Sequence, residues 1–157
     1  MFLRKIFFSI LYIFLILYLI IFIPVFWGYK PLVIISGSME PKLRVGGILY
    51  YKEINKKEYQ KNDIVVFKSN KYLISHRIVE ITNGGFITKG DANKSIDSNK
   101  VLFTKALGKG TNWSIPYIGY YADFIYKNKW ILLLVLIILI INTKLSNYVE
   151  EDNEDNI

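Results

Sequence analysis

The segment Ser36-Gly37-Ser38-Met39-Glu40-Pro41 follows the apolar run PLVII, and Gly37 and Pro41 would set Ser38 in a sharp turn at a strand end. A hydroxyl that attacks a carbonyl needs such exposure and a base to take its proton. The chain has one histidine, His76, in the strand-like run YLISHRIVEI, and imidazole exchanges protons near neutral pH. Two carboxylates, Asp91 and Asp97, follow in TKGDANKSID. Serine, imidazole and carboxylate are the residue types of nucleophilic acyl transfer. Each fragment also has a plain structural reading. SGSMEP is made of turn residues, a lone strand histidine is commonly a hydrogen-bonded bystander, and GDAN invites aspartates that bond their own backbone.

These residues need a scaffold, and the middle of the chain predicts a mostly β one. The runs PLVIIS, GGILYYKEI, DIVVFKS, YLISHRIVEI, GGFITKG and VLFTKALGK are strand-length, rich in Ile, Val, Phe and Tyr, and separated by turn residues. Asn83-Gly84-Gly85 signals a hairpin, which pairs the strands around His76 and Lys89. The polar stretch EINKKEYQKN, Glu53 to Asn62, reads as a loop or a single helical turn.

Taken in order, SGSMEP, NDIVVF at Asp63, SHRIVEI, TKGDANKSID and SIPYIGY at Ser114 to Tyr120 resemble the type I signal peptidases, peptidase family S26. The resemblance runs from Ser36 to about Tyr120 and is to the archaeal and endoplasmic-reticulum-type branch, which uses histidine where other bacterial members use a lysine base. It implies that Ser38 attacks the scissile bond of a signal peptide and that His76 is general base and then general acid. It favours Asp97 as the group orienting His76, with Asp91 supporting the loop, though either acid could fill either role. The Ser38 N–H and the Ser36 hydroxyl would stabilise the oxyanion, and Met39 and Pro41 beside the nucleophile would meet substrate. Substrates would bind extended along a strand edge, for which PLVIIS, Pro31 to Ser36, is the candidate. The chain departs from the family pattern at Lys42, where Thr is frequent, and at Asn62, where Gly usually precedes the aspartate.

Ile6 to Phe26 carries no charge over a length that matches a hydrocarbon core of ~30 Å, and Arg4 and Lys5 before it should hold the N-terminus in the cytoplasm. Residues 1–28 therefore read as an uncleaved anchor, and residues 29–126 as an extracytoplasmic β-rich peptidase domain close to the membrane surface. The apolar block Trp130 to Ile141 is short. With Asn142 to Leu145 and snorkelling Lys127, Lys129 and Lys144 it makes residues 127–145 a C-terminal transmembrane helix, the alternative being a helix lying on the membrane. Residues 146–157 hold the acidic run VEEDNEDNI, read as a solvated cytoplasmic tail.

Residues 29–129 hold 17 of the 20 basic and 8 of the 13 acidic residues, a formal charge of about +9 that should draw this segment to anionic lipid, and its scattered lysines do not form a nucleic-acid motif. With no cysteine and one histidine, neither thiolate chemistry nor a zinc site is expected, and no cofactor is called for. Expected partners are signal-peptide-bearing pre-proteins and the bilayer, with the secretion translocon nearby. Two rivals stand beside this reading: a processing peptidase dedicated to a few exported proteins, and a catalytically silent membrane-anchored β-module. The joint presence of Ser38, His76 and Asp97 argues against the second.

Overall fold

The computed structural model of the chain describes residues 2–154, so the part of the acidic tail at residues 155–157 lies outside the described residues. Seven strands among the described residues form one antiparallel sheet. They are β1 (Lys30–Val33), β2 (Ile48–Lys52), β3 (Ile64–Ser69), β4 (Tyr72–Thr82), β5 (Gly85–Lys89), β6 (Val101–Leu102) and β7 (Ala106–Ile115). Their spatial order is β1-β2-β7-β3-β4-β5-β6, which leaves β1 and β6 as edges and buries β3 at the centre.

Both faces of the sheet are covered, which explains why β3 reads as an unbroken apolar run instead of an alternating one. Ile64 and Val66 point into one core with Met39, Leu43, Leu49 and Tyr51, while Val65 and Phe67 point into the other with Tyr59, Ile78 and Phe86. His76 lies opposite Val65 in the β3–β4 register, so the second core backs the imidazole.

The β4–β5 hairpin closes through Asn83-Gly84, with Thr82 opposite Gly85, and Gly84 supplies the positive φ of 95°. A register shift between Ile78 and Glu80 interrupts this ladder just beyond His76. The expected strand VLFTKALGK is instead β6, a 3₁₀ turn at Phe103–Lys105 and the start of β7, because the chain must leave the β5 edge and cross to β3. The polar stretch before Asp63 holds a single 3₁₀ turn, Lys56–Glu58, closed by a capping box between Asn55 and Glu58.

The Asn62 departure has a conformational explanation. Asn62 sits at φ 74°, in the left-handed region where glycine is cheapest and asparagine the usual substitute. Its N–H donates to the Ile78 carbonyl, and the Ile78 N–H donates to the Asp63 carbonyl, which locks this turn against β4.

Among the described residues three α-helices flank the strands in sequence: α1 (Phe2–Phe22), α2 (Gly119–Lys127) and α3 (Lys129–Glu154). Phe22 to Ala122 forms one compact unit, and the N-terminal and C-terminal helical segments belong to another. Leu3–Trp27 and Lys129–Ser146 are both long and apolar enough to cross a membrane. The short helix α2, absent from the sequence expectation, is a mixed aromatic and polar segment with a Lys127–Asp123 ion pair one turn apart. The backbone of the acidic segment continues α3 as far as Glu154. Extending a nucleated helix costs far less than starting one.

Candidate active site

Ser38 occupies a 3₁₀ turn, Gly37–Met39, entered from an extended Ser36 and closed by the Glu40 N–H donating to the Gly37 carbonyl. Two apolar anchors hold that turn down. Ile34 exchanges backbone hydrogen bonds with Gly46 and Gly47, and Met39 is only 1% exposed. Met39 corrects an expectation, because a side chain sunk among Leu43, Leu49 and Ile64 has no surface to offer a substrate; it roots the turn. Pro41 is exposed and lies outside the lining of the grooves described below.

β4 brings His76 to this turn from 38 residues away. Its Nε2 lies 3.1 Å from Ser38 Oγ, and its Nδ1 lies 2.6 Å from Asp97 Oδ2. A carboxylate has only lone pairs to offer, so it selects the tautomer with the proton on Nδ1 and leaves Nε2 free to accept from the serine hydroxyl. His76 is buried and backed edge-on by Phe67, which limits water around the ring.

Asp97 sits in the loop after β5, and its carboxylate also accepts a 2.6 Å hydrogen bond from Thr88 Oγ1. Asp91, at the start of the same loop, is bound instead by a guanidinium fork. Arg77 Nε and Nη2 donate to its two oxygens at 2.8 and 2.6 Å, and Nη1 donates to the Asn62 carbonyl at 2.8 Å. Hydrogen bonding to Asp91 raises the Arg77 pKa above its ordinary value. The two acids therefore separate spatially, with Asp97 on the imidazole and Asp91 on the arginine beside it.

The Asp91 fork bears on the nucleophile. The Ala92 N–H, one residue further on, donates to the Ser38 carbonyl at 2.9 Å. Gly90 passes so close that a Cβ there would lie 2.6 Å from that carbonyl oxygen, so the position demands glycine. Asp63 has a supporting place of its own: its buried carboxylate accepts from the Gln60 N–H and pairs with Lys109 of β7, each at 2.8 Å.

Ser36 Oγ lies 3.4 Å from Ser38 Oγ, on the same side of the turn. Between the chain leaving β1 and the start of β4 runs a groove of about 370 Å³, lined on its apolar walls by Leu32, Val33, Ile35, Leu73 and Ile74, with Ser38 and His76 also in its lining. A second cavity of about 640 Å³ adjoins His76 and Asp97 beneath residues 92–99 and is more polar. Nothing in the motifs marks Thr88 or Arg77 as part of the site, or Leu73 and Ile74 as groove walls. Period-two alternation in YLISHRIV was the available signal, since it places Ile74 on the face of His76.

Comparison with known proteins supplies a family. Residues 6–106 match the family described as "Signal peptidase, peptidase S26". The chain is 37% identical over 99 residues to Signal peptidase I W of Bacillus subtilis, covering 59% of this chain and 52% of that protein. It is 32% identical over 138 residues to the Signal peptidase complex catalytic subunit SEC11 of Lachancea thermotolerans, covering 76% and 80%. Against the human Signal peptidase complex catalytic subunit SEC11C the identity is 31% over 101 residues, covering 55% and 52%. The chain thus spans about half the length of the Bacillus and human relatives and four fifths of the fungal one. With a family match across well over half of its residues, the chain belongs to the peptidase S26 family of signal peptidases, anchored to the membrane through its N-terminal apolar helix.

Proposed function

We propose that the chain is a membrane-bound serine endopeptidase that removes signal peptides from exported pre-proteins, with Ser38 as nucleophile, His76 as general base and Asp97 as orienting acid. The observation that carries this reading is the unbroken hydrogen-bond chain Asp97–His76–Ser38, at 2.6 and 3.1 Å. In the reaction Ser38 Oγ attacks the scissile carbonyl while its proton passes to His76 Nε2. The same nitrogen then protonates the departing amine, and water repeats the cycle on the acyl-enzyme. The Ser38 N–H and the Ser36 hydroxyl, whose oxygen lies 3.4 Å from Ser38 Oγ, are the donors this reading assigns to the developing oxyanion, where each lost donor costs ~3 to 4 kcal/mol.

The groove beside Ser38 suits the residues that precede the cut. A peptide extended there runs along the chain leaving the β1 edge, pairs with backbone and sets alternate side chains against apolar walls. The reading extends to the archaeal and endoplasmic-reticulum-type branch, and what supports it is the histidine standing in the base position together with likeness to the two SEC11 subunits. Those relatives are named as catalytic subunits of a complex, which extends the reading to partner subunits for this chain.

Arg4 and Lys5 keep the N-terminus cytoplasmic, so residues 29–126 face outward, and Lys129–Ser146 returns the chain across the bilayer. A signal peptide still seated in the membrane meets this protease in the same plane, at high effective concentration. The test is cleavage of a precursor by the purified full-length chain in detergent or liposomes. Ser38→Ala abolishes processing and leaves the protein folded and membrane-bound; unchanged processing by that variant rejects the reading.

A further inference from the structure

The orienting carboxylate sits on a loop that is poorly held by packing. Residues 91–100 contain no regular secondary structure, and Ser95, Ile96 and Ser98 around Asp97 are exposed. A carboxylate on such a segment samples many rotamers, and each one that leaves Nδ1 frees the imidazole to turn or to take the wrong tautomer. Something in the rigid scaffold has to supply the missing restraint.

We infer that Thr88 is a positioning residue of the catalytic site, acting through Asp97; this rests on the catalytic reading of Ser38, His76 and Asp97 proposed above. Thr88 clamps that residue at both ends. Its carbonyl accepts the Asp97 N–H at 2.8 Å, and its hydroxyl donates to Asp97 Oδ2 at 2.6 Å. The oxygen it grips is the one bonded to His76 Nδ1, so the hydroxyl fixes the point where the imidazole attaches. Thr88 is fully buried on β5, opposite Ile78 in the β4 register, and Ile78 lies two residues along β4 from His76 and so on the same face of the sheet. Base and clamp are carried by adjacent strands of one ladder, while the acid between them is carried by a loop.

The residue type follows from the task. A buried hydroxyl needs a partner, and a charge-assisted bond to a carboxylate is shorter and stronger than one to a neutral acceptor. Threonine's two heavy atoms on Cβ restrict χ1, which keeps the hydroxyl aimed. Serine would retain the donor with a looser rotamer, and valine would retain the shape with no donor.

The experiment uses the full-length chain in detergent. Thr88→Val is expected to lower kcat by about tenfold to a hundredfold, the worth of a hydrogen bond to a charged group, with KM within about twofold. Thr88→Ser restores most of the loss. In an Asp97→Asn background, adding Thr88→Val produces no further decrease, since the clamp has nothing left to orient. A structural role predicts the opposite on each count: KM and stability change with kcat, serine does not rescue, and the losses multiply.

A readout independent of cleavage comes from the single histidine, whose ring signals are unambiguous in a nitrogen-15 spectrum. The wild-type chain shows an Nδ1–H resonance protected from solvent exchange, and Thr88→Val broadens or removes it while Thr88→Ser keeps it. Even if Thr88→Val does not fold, the wild-type chain decides the matter through the Thr88 hydroxyl proton. It should exchange slowly and show a cross-peak to the imidazole Nδ1–H; a freely exchanging hydroxyl overturns the inference. A protein that gives these signals and cleaves no precursor retains the clamp and loses the proposed function instead.

Discussion

Only a neutral imidazole accepts the Ser38 proton, so acidification should remove the base while Ser38 and Asp97 stay in place. The sign is definite: kcat/KM falls by about tenfold per pH unit once the ring is protonated, and it levels off above that range. A pH–rate profile with no acidic limb excludes imidazole as the base. Replacing His76 by Lys, whose amine is also a potential base, is not expected to restore cleavage. The site around Nδ1 is built for an acceptor carboxylate at 2.6 Å, and a lysine there would form an ion pair with Asp97 instead of facing Ser38. Asp97→Asn keeps the shape and reverses the hydrogen-bond sense, which in a comparable triad costs about 10⁴ in kcat. Asp91→Asn should weaken the Arg77 fork and cost much less, a comparison that separates the two acids by measurement.

Two backbone features place these side chains, and each makes a prediction. Gly90 passes the Ser38 carbonyl at a distance that excludes a Cβ, so Gly90→Ala must displace the loop or the nucleophile turn. A shift of that order costs about 10²-fold in kcat with modest loss of stability. Asn62 at φ 74° anchors the turn that meets Arg77 and Ile78; Asn62→Val should destabilise the chain by about 1 to 2 kcal/mol in denaturant unfolding, and Asn62→Gly should not. The second core offers a titration test. Burial first, and the charges of Asp63 and Glu53 after it, push the Tyr59 phenol up from 10.0 to about 12. The folded state therefore holds this proton more tightly than the unfolded chain. The resulting stability is present below pH 10.0 and is lost as pH rises towards about 12. Tyr59→Phe should flatten that part of the stability curve, and an unchanged slope would refute the assignment.

For the molecule as a whole, membrane attachment limits what the site can reach. About ten residues join the end of the apolar stretch to Ser38, at most ~35 Å of extended chain, so on the proposed topology cleavage is expected only of precursors held at the bilayer. With both apolar helices crossing, a tag after the last residue is protected from external protease in intact cells or oriented vesicles. Digestion of that tag without permeabilisation would leave only the first helix as a span. The basic balance of +7 adds attraction to anionic lipid, which high salt should weaken without extracting the apolar anchor.

The strands, the hairpin and the anchor were legible in the amino-acid sequence because each is a local property. β-branched and aromatic runs favour extended backbone, Asn-Gly closes a two-residue turn, and an uncharged apolar helix has no use for water. Ser38, His76 and Asp97 were legible as residue types in a recognisable order. What the fold alone decided were the contacts across long separations. Among these are the division of Asp97 to the imidazole and Asp91 to Arg77, the sinking of Met39 into the core, and the hydrogen bond from Thr88 to Asp97. The reason is geometric. A motif specifies which groups exist and how far apart they lie along the chain, but a hydrogen bond is set to tenths of an ångström by register, bulge and loop path. Those emerge only when the strands pair and both faces of the sheet are filled.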